Sequence, residues 1–267
     1  MLESLRLYWH YVSFSIHSQL QYRASFVMLA LGSLILTGVD FVGLWALFHR
    51  FGSLQGWHLP EVAVLYGMVN IAFGLAEAVA RGFDAFEVMV RDGGFDRILL
   101  RPRGAAFQVL SQELQLLRIG RIAQGAAAMA WGWSSLAVSP SLPGVLVLAA
   151  GIVSGACIFT GLFVLQATLS FWTVSTLELV NTVTYGGVET AQYPLSIYRP
   201  WFRRIFTFVI PLACINYWPL QAALGRSDPL GAPTWFLWLS PVLGAVFLLV
   251  SLRVFAFGVR HYRSTGS

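Results

Sequence analysis

The sequence contains no lysine, so that all 17 of its basic residues are arginine. A nucleotide-binding P-loop needs a lysine to contact the β- and γ-phosphates, and Schiff-base catalysis needs a lysine amine. Neither chemistry is available to this chain. Any work driven by ATP hydrolysis must therefore come from a different polypeptide.

Charged residues are also scarce. They make up 11% of the chain, whereas a soluble domain carries about 25%, and hydrophobic residues make up 57%. The apolar residues fall in runs of about 20, the length that spans the hydrocarbon core of a bilayer. The net charge of +5 comes from arginines in short loops, which argues against nucleic-acid binding. We therefore predict an all-α polytopic membrane protein.

Cysteine and histidine are too few and too scattered to indicate a metal site. Cys157 and Cys214 lie in apolar runs without a CxxC motif, and we expect them to serve packing. No pair of the five histidines has the spacing of a helical metal site with a carboxylate. The predicted spans contain no histidine, so an intramembrane enzyme built on Ser–His or His–metal chemistry has little basis.

Hydropathy and charge predict six membrane spans in a single domain, with both termini in the cytoplasm. Residues 1–23 are predicted to form an amphipathic helix in the membrane interface. Most arginines lie in this helix, in a charged insert at residues 81–104 and in the C-terminal tail, which places these parts in the cytoplasm. Both termini on one side require an even number of spans. The expected spans, with the fifth left open, are 24–48, 61–80, 106–138, 144–172 and 235–257.

The fifth span has two interpretations. Hydropathy alone selects residues 204–222, but Pro211 lies at the middle of this segment and Pro219 near its end, and each removes a backbone donor. In the second interpretation the fifth span is the more polar segment 173–192, and residues 201–222 form a re-entrant hairpin in the outer leaflet. Both interpretations give six spans.

The charged insert includes a predicted cytoplasmic coupling region at residues 83–101. Gly93 and Gly94 separate two short amphipathic pieces, and Pro102 ends the second. An apolar face with flanking charges suits a helix that docks into a cleft of another protein. A helix that rests on lipid headgroups is the alternative. The residues of this face and its flanks are Phe95, Ile98, Leu99, Arg97 and Arg101.

Over nearly its whole length, the chain resembles the ABC-2-type permeases of ATP-binding-cassette transporters. The stretch GGFDRILLRPRG is similar to the Gly-Leu-Asp-x-Leu-Leu-x-x-Pro stretch that this family has between spans two and three. The later run QYPLSIYRPWFRRIFTFVIPLACINYWPLQAALG resembles the family's region after span five, which contains Tyr-Pro, Trp and two Pro in this order. The order and spacing of these matches carry the resemblance.

The resemblance implies that the first stretch is a coupling helix, whose residues 95–100 meet an ATPase subunit. The ATPase-docking residues would be Phe95, Asp96, Arg97, Ile98, Leu99 and Arg101. The second stretch would form a re-entrant element at the outer face, marked by Tyr193, Pro194, Pro211 and Pro219. One departure is that Arg199, Arg203 and Arg204 would then lie outside, against the positive-inside trend.

Polar residues inside the predicted spans are candidates for a translocation path. A carboxylate exposed to lipid costs several kcal/mol, so Asp40 must face protein or a watery cavity. The alternative is a buried acid paired with an arginine or a hydroxyl of a neighbouring helix. Gly151 and Gly155 form a G-x-x-x-G pattern that we expect to serve intramolecular helix packing. The candidate path residues are Asp40, Asn70, Gln166, Glu178, Asn181 and Glu189.

These expectations lead to one leading hypothesis on function. The chain is predicted to be the permease subunit of an ATP-driven exporter in the bacterial cytoplasmic membrane, working by alternating access. It would hold no cofactor itself, since ATP and magnesium would bind the partner subunit. One six-span chain offers half of a symmetric pathway, so we expect two ATPase subunits and a second permease chain, identical or paralogous. A non-transporting membrane scaffold or receptor subunit is the alternative.

Overall fold

The computed structural model describes residues 13, 16–19, 21, 23–136, 141–173 and 177–262. Within these ranges the chain is helical, with one isolated bridge between Leu54 and Trp57 and no β-strand. The all-α prediction is confirmed for this part of the chain. The predicted interfacial helix at 1–23 falls largely outside the described residues.

Twelve α-helices follow one another in the described ranges. They are α1 Arg23–Phe51, α2 Leu59–Asp84, α3 Phe86–Arg91, α4 Gly94–Leu99, α5 Ala105–Leu110, α6 Ile119–Ser134, α7 Leu142–Leu169, α8 Leu177–Ala191, α9 Pro200–Arg204, α10 Tyr217–Ala223, α11 Thr234–Leu239 and α12 Val242–His261. The shorter turns are the 3₁₀ segments Leu116–Arg118, Leu195–Ile197 and Leu212–Cys214 and the π-helical turn Ile205–Val209.

Helix α2 is the centre of the bundle, with 78% of its most apolar window buried. Its first turn contains Pro60, which loses no hydrogen bond there. The Glu61 carboxylate accepts a hydrogen bond from the backbone N–H of His58 at 2.9 Å and so caps the helix. A Cβ at Gly67 would lie 2.5 Å from the carbonyl oxygen of Gly125. Helices α2 and α6 are therefore in backbone contact.

Helix α7 joins the central helix to the rest of the bundle. It packs on α2 and on α12, where Gly244 lies against the backbone of Ser154. On another side, Gly151 and Gly155 both lie against Ile215, since a Cβ at either glycine would come within 2.7 Å of it. This confirms that the G-x-x-x-G pattern serves packing within the chain.

Helix α1 lies at the edge of the bundle, and only 11% of its most apolar window is buried. It is attached by the buried side chains of Leu44 and Phe48 and by polar contacts. The carbonyl oxygen of Thr37 accepts hydrogen bonds from the Tyr66 hydroxyl at 2.9 Å and from the Gln124 amide at 2.7 Å. Within the described residues, helix α1 therefore leaves a long apolar surface without a partner.

The third predicted span, 106–138, is corrected by the structure, because the helix expected to continue from Ala105 breaks at residues 111–115. The backbone groups at the break find other partners. The Gln19 side chain donates to the carbonyl of Leu114 and accepts from the N–H of Leu116, and the N–H of Gln115 donates to the carbonyl of Ala78. Helix α6 is therefore a separate helix of 16 residues.

The last predicted span, 235–257, is also interrupted. Helix α11 ends at Leu239 and helix α12 begins at Val242, after a turn at Ser240 and Pro241. Proline has no N–H to donate, and its ring clashes with the carbonyl four residues earlier. The long apolar helix therefore starts after Pro241 and continues to His261.

Residues 200–223 form a bent element with an angle of 72° between Pro200–Val209 and Leu212–Ala223. Pro211 lies at the bend. Both ends of the element lie beside the start of helix α2. Before it, the Trp57 ring N–H donates to the Ser196 hydroxyl at 3.1 Å, and after it, Arg226 pairs with Glu61 at 2.5 Å.

Past the bend, Asn216 contacts helix α2 farther from its start than the two ends of the element do. The Asn216 amide donates to the carbonyls of Leu65, at 3.2 Å, and Ala191, at 2.6 Å. A segment that enters and leaves at one end of the bundle is what a re-entrant hairpin requires. This geometry favours the second interpretation of the fifth span, and the membrane position of helix α8 stays a prediction.

Among the described residues, four helices are long and apolar enough to cross a membrane. The number becomes five if the bent element is one broken span. The six predicted spans also need helices α6 and α8, which are shorter. The four helical ranges are Phe26–Phe51, Leu59–Arg91, Leu142–Leu169 and Val242–His261.

Candidate functional site

The charged insert folds as two short helices, α3 and α4, at the end of helix α2. Gly93 joins them in the left-handed conformation, with φ of 67°. A side chain at this position would be strained, so glycine permits the sharp reversal. The two-piece organisation expected from Gly93 and Gly94 is therefore present in the structure.

An aromatic cluster holds the insert against the bundle. Phe95 is fully buried, with its ring centroid 4.9 Å from that of Phe86 and 5.1 Å from that of Tyr262. Phe171 and Phe255, near the ends of helices α7 and α12, complete the cluster at 5.4 Å from Phe95 and 5.6 Å from Phe86. The cluster ties helix α4 to the ends of two long helices.

This burial changes which predicted docking residues face outward. Phe95 is 0% exposed and Ile98 is 3% exposed, so neither presents a surface to another protein. Leu99 is 42% exposed and Leu100 is 86% exposed. The docking surface, as we define it, consists of exposed Arg97, Leu99, Leu100 and Arg101. Asp96 is half-buried beside it.

The candidate path residues differ in exposure. Asn70 and Gln166 are buried, and the Asn70 amide donates to the carbonyl of Tyr66 at 2.9 Å, one helical turn earlier. Asn181 is half-buried, and the side chain of Glu178 lies outside the described part of the chain. In this structure Asn70 is therefore packed inside the bundle, and its place on a translocation path stays a prediction.

Asp40 and Glu189 behave differently, because both carboxylates are exposed. They lie on helices α1 and α8. Within the described ranges neither forms an ion pair, although Glu189 accepts a hydrogen bond of 3.4 Å from Gln192. Among the predicted path residues whose side chains the structure describes, these two carboxylates are exposed.

A buried ion-pair cluster was missed by the sequence interpretation. Glu77, 3% exposed, pairs with Arg118 and Arg121, each at 3.2 Å. The Arg121 guanidinium also lies 4.9 Å from the centre of the Phe73 ring. The sequence does contain a signal for this cluster, namely an acid and two arginines at the ends of consecutive apolar runs.

The predicted re-entrant residues lie where the bent element meets helices α7 and α8. Tyr193 and Pro194 directly follow helix α8. Pro219, in helix α10, is buried and lies against Gly151 of helix α7. With Pro211 at the bend, the four residues mark the start, the turn and the packed arm of one structural unit. Its membrane position is a prediction.

The described residues contain no group of three or more histidine, cysteine or acidic side chains that would hold a metal ion. Cys157 is half-buried and Cys214 is buried, and both are free thiols.

A family model described as "ABC-2 family transporter protein" matches residues 34–266. No curated protein and no solved structure matches the chain.

Proposed function

Because the chain belongs to the ABC-2 family of transporter proteins and is thus a membrane component of an ABC transporter, we propose that it is the permease subunit of an exporter driven by a separate ATPase. Two ATPase subunits, holding ATP and magnesium, act on this chain and on a second permease chain, identical or paralogous. The complex lies in the bacterial cytoplasmic membrane, with both termini of the permease in the cytoplasm.

The observation that carries this proposal is the position of the docking surface. Leu99 and Leu100 are exposed apolar side chains between Arg97 and Arg101, a pattern suited to a cleft with acidic margins. Directly behind them, Phe95 belongs to the aromatic cluster that includes residues near the ends of helices α7 and α12. A close-packed cluster transmits displacement rather than absorbing it. Movement of a docked ATPase therefore shifts long helices, as alternating access requires.

The docking surface is tested by replacing Leu100 with aspartate. A charge in an apolar contact is expected to weaken ATPase binding at least about ten-fold. Leu100 is 86% exposed, so the substitution is not expected to destabilise the folded chain. Co-purification and vanadate-sensitive ATPase activity measure the effect.

Subunit number is tested separately. Native mass spectrometry of the unmodified complex is expected to count two permease and two ATPase chains.

The matched control is Leu142→Asp, which changes a leucine that is 74% exposed at the opposite end of the bundle. This variant is expected to bind the ATPase normally. Undiminished co-purification of the Leu100 variant contradicts the docking surface. If the unmodified permease associates with no ATPase at all, the scaffold or receptor function is favoured instead.

The translocation path is proposed to include Asp40 and Glu189. An exposed carboxylate at span depth is costly against lipid, so water or a second permease chain must cover it. The described part of the chain also leaves most of helix α1 uncovered. A passage between two permease chains, lined by helices α1 and α8, satisfies both requirements.

Thiol accessibility tests this passage without knowledge of the substrate. In a chain with Cys157→Ser and Cys214→Ser, Asp40→Cys is expected to react with a membrane-impermeant reagent at least about ten-fold faster than Val42→Cys, because the reactive thiolate needs water. Val42 is 60% exposed and lies about 200° around helix α1 from Asp40. Equal rates, measured by mass shift in membrane vesicles, contradict a watery passage at Asp40.

A further inference from the structure

A second site is indicated by a cavity at the end of the bundle that also contains Trp57 and Glu61. The cavity has a volume of about 510 Å³ and lies between the bent element and residues 228–236. Its lining includes Arg203, Arg204, Phe208, Trp218, Trp235 and Phe236. Two guanidinium groups and four aromatic rings thus share one concave surface.

The far wall of the cavity is held by a buried carboxylate. Asp228, 7% exposed, accepts hydrogen bonds from the Tyr217 hydroxyl and the Trp218 ring N–H, both at 3.1 Å. It also accepts from the backbone N–H groups of Leu230, at 3.0 Å, and Ala232, at 3.3 Å. Four donors fix the turn at residues 228–232 against helix α10. Hydrogen bonds therefore hold this wall of the cavity in place.

The two arginines supply positive charge without an internal counter-charge. Arg204 is exposed and Arg203 is half-buried, and in the described part of the chain neither forms an ion pair. Asp228, which lines the same cavity, uses its oxygens on the four donors above. Guanidinium groups bind phosphate through paired N–H donors. The two guanidinium groups are therefore available to bind a phosphate group in the cavity.

The apolar part of the cavity distinguishes a lipid from a free anion. Phe208 is 81% exposed and Trp235 is 64% exposed, so both offer large apolar surfaces beside the arginines. Aromatic rings and arginines that reach a headgroup are typical of the membrane interface. We propose that this cavity binds an anionic phospholipid, with its phosphate on Arg203 and Arg204 and an acyl chain along Phe208 and Trp235.

Lipid titration of the full chain, purified with its partners and delipidated, tests the proposal by native mass spectrometry. The probes are phosphatidylglycerol and phosphatidylcholine with the same acyl chains. Phosphatidylglycerol is expected to bind more tightly. Arg203→Gln with Arg204→Gln is expected to weaken its binding about thirty-fold, because each arginine near an anionic lipid contributes about 1 kcal/mol.

Arg50→Gln with Arg199→Gln is the matched control, since it removes the same charge from exposed positions at the same end of the bundle. It is expected to bind phosphatidylglycerol normally. With long-chain and short-chain phosphatidylglycerol as further probes, the unmodified chain is expected to prefer the long chains, because they cover Phe208 and Trp235. Trp235→Ser is expected to remove this preference and leave the preference for the anionic headgroup. Equal binding of the two lipids, equal loss in the control, or displacement by millimolar inorganic phosphate overturns the proposal.

Discussion

Replacing Glu77 with glutamine is expected to destabilise the folded chain by about 3–5 kcal/mol, because it removes one partner of a buried ion-pair cluster. Glu77 is the shared counter-charge of Arg118 and Arg121, whose side chains are 30% and 17% exposed. Glutamine keeps the size of the side chain but not its charge. Two guanidinium groups would then remain near each other without an acid between helices α2 and α6.

Reversible unfolding in mixed detergent micelles measures this effect. Glu113→Gln is the control, because this exposed acid lies at the break before helix α6, and a surface change of this kind is expected to cost less than about 0.5 kcal/mol. A double-mutant cycle sharpens the test. Arg118→Gln is expected to be less harmful in the Glu77→Gln background, since it then removes an unpaired charge. Additive effects would show that the pair makes no direct interaction.

The Glu77 cluster illustrates what the sequence could not reveal. Glu77 and Arg121 are 44 positions apart and meet only because helices α2 and α6 pack through backbone contact at Gly67 and Gly125. Each charge, taken alone, is equally compatible with an interfacial position. The pairing depends on the rotational orientation of each helix about its own axis. Hydropathy contains no information on this orientation.

The long helices could be predicted better than their interruptions. Helix α2 covers Leu59–Asp84 where 61–80 was expected, and helix α7 covers Leu142–Leu169 where 144–172 was expected. Apolar length is averaged over many residues, so it is a robust signal. The break at residues 111–115 depends on distant partners such as Gln19, which local pattern does not contain.

In the coupling region, too, one part of the sequence interpretation agrees with the structure and another part does not. The two helices around Gly93 and the exposed arginine at position 97 agree with the sequence interpretation. The apolar face, however, was assigned to a partner, and its Phe95 instead fills the chain's own aromatic cluster. An amphipathic pattern shows that the apolar face of a helix is covered. It does not show whether the same chain or a partner protein covers it. Of the predicted apolar face, Leu99 is left exposed for a partner, next to exposed Leu100.

Replacing Gly82 with alanine is expected to be the most damaging change to the coupling region. Gly82 lies near the end of helix α2, and a Cβ there would overlap the carbonyl oxygen of Val109 in helix α5. Backbone cannot move aside as a flexible side chain can, so helix α5 must shift. Because residues 85–104 connect the two helices, the docking surface would shift with it. We expect a loss of about 3 kcal/mol or more in stability, at the upper end for overpacking, and loss of ATPase stimulation.

Gly104→Ala is the matched control for Gly82→Ala. Gly104 lies in the same insert with φ of −58°, and a Cβ there would meet no atom within 4 Å. Its stability and ATPase stimulation are expected to stay close to those of the unmodified chain. Thermal unfolding and ATPase rate of the assembled complex are compared for both variants. If Gly82→Ala matches Gly104→Ala in both measurements, helices α2 and α5 do not touch in the working transporter, and the coupling region must be held by the aromatic cluster alone.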